Sequence, residues 1–584
     1  MRTSLQLVVI SLAALAAGAA VYAQIANPIE APIVKRGLAV AVRDLVRLPE
    51  TRRLRPVDQD VTPTGWARVS FVRDLPDGRR FANDSRGFLY LIDRANQTTV
   101  YANVGAVFPF AVYNRLESGF IGFAFHPDFA RNGLWYTVTA ERAQGNPATP
   151  DFIPPGFSAA DVNYHDVITE WHTTNPSANT FEGTRRELLR IGQIVTTLTH
   201  PFGDVEFNPA AKPGSPDYGL LYTSGSDMGF SNGGGPNANN PRQTQRLDTL
   251  VGAILRIDPR SPSASGGMKG LGDYTIPAIN KFAADGDPKT FGEIYAYGFR
   301  NTHRLSWDLT DSTMFGSDIG MNNIEEINII HEGRNYGWMK REGIWENGIF
   351  RPGGALDQLF ALPAAVLSGR EKDEFTYPVA MYDHNDGQAV TGGFAYHGRI
   401  AALKGKFIFG DIVRGRVFAA DLAAMKRADD GIPQTVAPIE EVQLYERCER
   451  QADLCDLPRA RRGDKRGDGD ARRSASQSQR RRRDLPELPA GRHDQDAGTG
   501  LRVAPLAVTI ERATKCGHSW GIRGSLLSLG PGSSGLSSRN SGDTHRTVPG
   551  RVSGNGRSDT PRTTGLHPIR SSSRFFPSPP SRSR

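Results

Sequence analysis

Short apolar runs separated by polar turns dominate the chain between about residues 65 and 446. Phe88-Leu89-Tyr90-Leu91-Ile92 follows Ser85-Arg86-Gly87, and Gly133-Leu134-Trp135-Tyr136-Thr137-Val138-Thr139 follows the turn Asp128 to Asn132. Gly219-Leu220-Leu221-Tyr222-Thr223-Ser224 follows Pro213 to Tyr218. Each run is rich in aromatic and β-branched residues and is bounded by Gly, Pro, Asn or Asp, which predicts strands. A loose repeat runs through Gly122–Asp128, Asp204–Pro209, Arg304–Leu309 and Gly393–Gly398, spaced by about 80–100 residues. A strand, polar turn and strand repeated over about 420 residues, without helix-length periodic segments, predicts an all-β fold and within it a β-propeller. A sandwich or two stacked β domains fits the same pattern. Loops held by such a scaffold are where chemistry is expected, and the Gly/Asn-rich stretch Gly225 to Asn240 is one of them.

Composition changes this picture at the two ends. Met1 to Ala23 has Arg2, an apolar stretch Leu5–Ala20 and the small-residue close Val21-Tyr22-Ala23, which predicts a secretory signal peptide and a periplasmic or secreted protein. No later apolar run is long enough for a transmembrane helix. Residues 24–446 form the expected propeller domain. Residues 1–446 carry 43 Lys+Arg against 49 Asp+Glu, whereas residues 447–584 carry 27 against 13. The excess of positive charge therefore belongs to the tail and gives the domain no nucleic-acid partner. All three cysteines (Cys448, Cys455, Cys516) lie in the tail, so the domain has neither a disulfide nor a thiolate metal site. Low hydrophobicity and runs such as Arg480–Arg483 predict a disordered Arg/Ser/Gly/Pro-rich segment over 447–584. Its abrupt change of composition also suggests a frameshift near residue 447, which resequencing of the gene would decide.

Several segments resemble, in order, the soluble quinoprotein glucose/sorbosone (aldose sugar) dehydrogenases. They are Gly119–Phe129, His200–Gly203, Leu250–Asp258, Tyr297–Asn301, Glu325–Ile330, Asn335–Trp338 and Val390–Gly393. The resemblance implies a six-bladed β-propeller using pyrroloquinoline quinone (PQQ) and calcium, an aldose or related sugar as substrate, and an external electron acceptor. His200 matches the family's catalytic histidine. An imidazole titrates near working pH and suits removal of the anomeric hydroxyl proton. Arg300 and Asn301 match the pair at the quinone's reactive carbonyl, where they stabilise developing negative charge. Gly320 and Met321 match the calcium loop, whose main-chain carbonyls suit a hard cation. Glu117 stands at a substrate-binding position, and Arg414 lies beside the position of a cofactor-binding lysine, which here is Val413.

Departures from the family pattern weigh against this. Thr199 replaces the acidic residue that often precedes the histidine, so a carboxylate at that position no longer orients the ring. Thr302-His303 stands where Pro is common after Arg-Asn, and Met321 replaces a common Pro. Arginines expected from the last blade are missing. Each lost charge-assisted hydrogen bond to a tricarboxylate quinone removes roughly 1.5–3 kcal/mol. An incomplete last blade would leave open sheet edges, so the chain as it stands is expected to be impaired. The competing expectation is a non-catalytic propeller that has lost the quinone site and binds carbohydrate or protein. A lactonase-type metal propeller ranks third, because the domain has no recognisable spacing of Glu, Asn and Asp ligands.

Overall fold

The structure is a computed structural model that describes residues 25, 28–51, 67–112, 118–195, 200–230, 243–351, 354–356, 358–447 and 454–456. The chain divides into two units, residues 1–519 and 520–584, and every described residue belongs to the first. The expected signal peptide, Glu117, Thr199, residues 231–240 of the Gly/Asn-rich loop and nearly all of the tail lie outside the described residues.

The first strand, β1 (Ala39–Val42), precedes five four-stranded antiparallel sheets. The first sheet holds β2 (Val69–Asp74), β3 (Arg80–Asp84), β4 (Phe88–Ile92) and β5 (Thr98–Asn103). The second holds β6 (Phe120–Phe125), β7 (Leu134–Arg142), β8 (Tyr164–Thr173) and β9 (Gly183–Gln193). In the third, β10 (Val205–Phe207), β11 (Leu221–Ser224) and β12 (Ala253–Ile257) are followed by a two-stranded ribbon, β13 (Met268–Lys269) with β14 (Thr275–Ile276). The sheet is then completed by β15 (Ile294–Tyr297). The fourth has β16 (Thr302–Trp307), β17 (Met314–Asp318) and β18 (Ile324–Ile329). A small sheet of β19 (Arg341–Glu342), β20 (Trp345–Asn347) and β21 (Leu359–Ala361) is inserted before its last strand, β22 (Ala380–Asp383). The fifth has β23 (Val390–Tyr396), β24 (Lys406–Asp411), β25 (Arg416–Asp421) and β26 (Ile439–Arg447), with β27 (Leu454–Asp456) beside β26. Helices are short, the longest described being Leu422–Ala428.

The sequence repeat marks one structural position. Its four copies fall on β6, β10, β16 and β23, the opening strands of the second to fifth sheets. Opening strand β6 lies against both β2 and β10, and β16 lies against β23 and against β11 of the third sheet. Four of the five carry a β-bulge near the start, at Ser70, Ile121, His303 and Gly392. A bulge turns one extra residue out of the ladder and frees its backbone groups. The Arg304 guanidinium collects several of them. It donates to the carbonyls of Gly203 at 2.6 Å and His303 at 2.8 Å, to Ser70 Oγ at 2.7 Å, and at longer range to the carbonyls of Ser70 (3.4 Å) and Ile121 (3.5 Å). Gly392 leaves room for this side chain, since a Cβ there would stand 2.7 Å from Arg304 Cβ. One buried cation thus touches parts of all five sheets.

Elsewhere the core is apolar and aromatic. Trp135 and Trp171 stack at 5.0 Å, and Phe181, Tyr101 and Phe129 close around this aromatic group between the first two sheets. Full burial of each such side chain contributes roughly 1.5–3 kcal/mol. The N-terminal stretch lies along the last sheet. β1 pairs in parallel with β26, Ala39 opposite Gln443, and the Ile33 amide donates to Asp386 at 2.8 Å. That outer edge of β26 is therefore covered rather than open. A sixth four-stranded sheet is not among the described residues.

Candidate active site

The starts of two opening strands, β10 and β16, and the loops after β11 and β17 assemble the site. His200 precedes β10, the loop Gly225–Phe230 follows β11, and Arg300-Asn301 precedes β16. Residues 318–324 join β17 to β18. Hydrogen bonds tie these pieces into one body. The Asp227 amide donates to the Arg300 carbonyl at 2.6 Å, and Ser226 forms a β-bridge with Asn301. The Ser226 hydroxyl donates to the His200 carbonyl.

His200 is buried and held in the left-handed backbone region, with φ +52°. A non-glycine residue stays there only when its surroundings over-determine it. Its Nδ1 lies 2.6 Å from Asp227 Oδ1. Asp227 is fixed in turn by the Gly229 amide (2.9 Å, on Oδ1) and by Trp338 Nε1 (3.3 Å, on Oδ2). The carboxylate that Thr199 cannot supply therefore comes from 27 residues downstream. A carboxylate on Nδ1 fixes both the tautomer and the direction of the ring.

Arg300 and Asn301 hang on Asp318. Its two oxygens accept the Arg300 amide at 3.0 Å and the Asn301 amide at 2.7 Å. Burial pushes Asp318 up to about 7, against the pull of these two amides and of the Arg300 charge. The Arg300 guanidinium lies 5.7 Å from the Trp338 ring and donates to the carbonyls of Ile319 (3.0 Å) and Gly320 (2.7 Å). Asn301 Nδ2 is buried with no hydrogen-bond partner among the described residues.

The calcium expectation meets a poor donor set here. The Gly320 carbonyl already faces a guanidinium, and a cation bound to the same oxygen would sit beside that positive charge. The amides of Met321, Asn322, Asn323 and Ile324 all converge on Glu342 Oε1, at 3.0–3.3 Å, so this carboxylate serves the loop itself. Among the described residues no group of three or more His, Cys, Asp or Glu side chains is placed to hold a metal. As arranged, the Gly320 carbonyl does not fit a calcium ion.

Arg414 lies on the exposed turn between β24 and β25, and its amide donates to Asp411 at 2.5 Å. That turn stands at the same end of the sheets as Gly320. The Gly320 and Val390 amides share Glu325 Oε2, and Asp411 holds the neighbouring Ala389 amide. Arg416 is committed to Asp386 and Glu441. Of the residues expected from the sequence, His200, Arg300, Asn301 and Gly320 thus share one cluster, Met321 adjoins it and Arg414 rims it. Asp227 and Glu342 were not anticipated, and Asp318, which the sequence offers as an oxygen beside the 320–321 loop, instead holds the Arg300 and Asn301 amides. Of the unanticipated pair, only Asp227 left a signal, as an acid directly after the predicted strand ending at Ser224.

Buried carboxylic acids give a pH dependence. Burial pushes Asp166 and Asp318 up to about 7 and Glu326 up to about 8. Their unfolded counterparts lose the proton near pH 4. The folded chain then holds more protons than the unfolded chain from about pH 4 to 8, so stability falls as pH rises through that window. Asp308, held down to about 2 mainly by Lys426 against its burial, acts only below about pH 4. Urea midpoints measured at pH 5.5 and 8.5 are expected to be higher at pH 5.5; equal midpoints would contradict the assignment.

Residues 215–443 match the family described as Glucose / Sorbosone dehydrogenase. The HIPL1 protein of Arabidopsis thaliana is 27% identical over 380 residues, covering 59% of this chain and 51% of that protein. Quinoprotein glucose dehydrogenase B of Acinetobacter calcoaceticus is 26% identical over 231 residues, covering 38% of this chain and 40% of that protein. The chain spans about half the length of the curated relatives it matches. The crystal structure of the soluble aldose sugar dehydrogenase of Escherichia coli in the apo-form is similar at a TM-score of 0.44 and 17% identity, over 64% of this chain and 85% of that one. The family match takes in five of the seven ordered segments, from Leu250–Asp258 to Val390–Gly393, while Gly119–Phe129 and His200–Gly203 precede it.

Proposed function

We propose that this chain is an exported quinoprotein dehydrogenase that oxidises an aldose or related sugar at its anomeric hydroxyl. The five sheets are read as blades of a six-bladed propeller whose last blade is incomplete. The observation that carries the proposal is the His200–Asp227 pair at 2.6 Å, set beside Arg300 and the Asn301 side chain, whose Nδ2 has no partner among the described residues. His200 acts as general base through Nε2, while Asp227 holds Nδ1 and stabilises the imidazolium that forms. Arg300 and Asn301 direct donors toward the oxygen where negative charge develops. Burial of His200 keeps water from the ring and strengthens these interactions. Arg414 offers a carboxylate-binding cation at the rim, and Glu117 is assigned to the sugar by resemblance. When bound, PQQ supplies the acceptor for the hydride of the anomeric carbon, and an external acceptor later takes the electrons. Residues 1–23 direct export.

One observation favours a second reading, a binding propeller without quinone chemistry. The Arg300 guanidinium is already engaged by the carbonyls of Ile319 and Gly320. Reconstitution separates the two. The full chain titrated with PQQ, with and without calcium, is expected to develop bound-quinone absorbance and to reduce an electron-accepting dye when aldoses are added. A chain that neither takes up quinone nor reduces dye with any sugar is a binding module at most.

A further inference from the structure

We propose that His303 is a quinone-contacting residue of this site, its Nδ1–H donating to one of two adjacent quinone carbonyl oxygens while Asn301 Nδ2 donates to the other. The inference rests on the quinoprotein reading above and adds to it a residue where the family commonly differs.

Geometry carries the argument. His303 is the extra residue of the bulge between β16 and β17: Thr302 faces Asp318 and Arg304 faces Ser317, leaving 303 without a ladder partner. Bulges of this kind re-aim side chains beside active sites. The backbone at 303 is pinned, because its carbonyl accepts Arg304 at 2.8 Å. It also packs against the His200 strand: a Cβ built on Gly203 would come within 3.0 Å of the carbonyls of Thr302 and His303. Yet Nδ1 of His303 is sealed from solvent and has no hydrogen-bond partner among the described residues. Asn301 Nδ2, two residues earlier on the same strand end, is in the same condition.

A buried polar atom without a partner costs roughly 1–3 kcal/mol. Two of them on one strand end, beside His200 and Arg300, point to a ligand that supplies the missing acceptors. Asn301 Nδ2 can only donate. His303 is kept neutral by burial, reinforced by the charges of Arg304 and His200, so its ring carries one N–H. Two donors from one strand end fit two vicinal carbonyl oxygens, the pattern of an ortho-quinone. An anionic carboxylate pair would instead select a charged imidazolium, which this environment disfavours.

Quinone titration of the full chain, followed by absorbance and calorimetry, tests the proposal alongside urea unfolding of the apo protein. His303→Leu is expected to weaken PQQ binding about tenfold, the value of one neutral hydrogen bond. Apo stability should hold or rise, because the variant removes an unsatisfied buried atom. His303→Asn, whose amide reaches the Nδ1 position, should keep binding within about threefold of wild type. Equal PQQ affinity in wild type and His303→Leu overturns the proposal while leaving the function intact. So does weakened binding that a folded His303→Asn fails to restore, a loss of apo stability without loss of affinity, or weakened sugar binding with quinone affinity intact. A wild-type chain that binds no PQQ removes the quinoprotein reading itself, and this inference with it.

Discussion

His200→Ala is expected to lower sugar-dependent dye reduction by at least about 100-fold, the low end of what a positioned general base contributes. PQQ uptake, read by absorbance, should stay within a few-fold of wild type, because quinone contacts are assigned to other residues. The split matters because His200 is also structural: its left-handed backbone and its carbonyl bond to Ser226 help to hold the 225–230 loop. Alanine keeps that carbonyl but leaves Asp227 Oδ1 without the ring. Asp227→Asn is the cleaner companion. It preserves shape and the bond from Trp338, yet a neutral amide no longer stabilises the imidazolium. Its turnover is expected to fall with little change in KM. If His200→Ala turns over at the wild-type rate, the ring is not the base and the His200–Asp227 pair is only a structural contact.

Much of this geometry was legible in the sequence. The four repeat copies proved to be the opening strands of four sheets, because an innermost strand is flanked on both sides and needs an apolar pattern on both faces. The first sheet escaped that pattern. β2, Val-Ser-Phe-Val-Arg-Asp, carries polar residues because Ser70 and Arg73 hydrogen-bond across to Ile121, Phe123 and Asp204. His200, Arg300 and Gly320 lie in one cluster, joined through Ser226, Asp227 and the Arg300 guanidinium. Asp227 was not legible, since a pair 27 residues apart has no local spacing to read. Nor was the Glu342 anchor of the 320–324 loop, which arrives from a small inserted sheet that no periodicity announced. The family match covers residues 215–443, and the change of charge near 447 lies just beyond it.

Arg304→Met is expected to destabilise the chain by about 3–5 kcal/mol, the range seen when one member of a buried charged network is removed. Arg304 is buried, and only firm partners can hold a guanidinium away from water. Here they are two close main-chain carbonyls, the Ser70 hydroxyl and the nearby Asp204 carboxylate. Methionine fills most of the volume but leaves those carbonyls without the Arg304 donor and Asp204 with Arg73 as its remaining cation. Arg304→Lys should recover part of the loss, since an ammonium restores the charge but cannot fork between Gly203, His303 and Ser70. Pairing Arg304→Met with Asp204→Asn tests whether charge is the issue. The double variant should lose less than the two single losses added together, because each single change removes a charge neighbouring the other residue. Urea unfolding of the full chain measures all four proteins. A loss below about 1 kcal/mol in Arg304→Met would mean that apolar packing alone holds the five opening strands together.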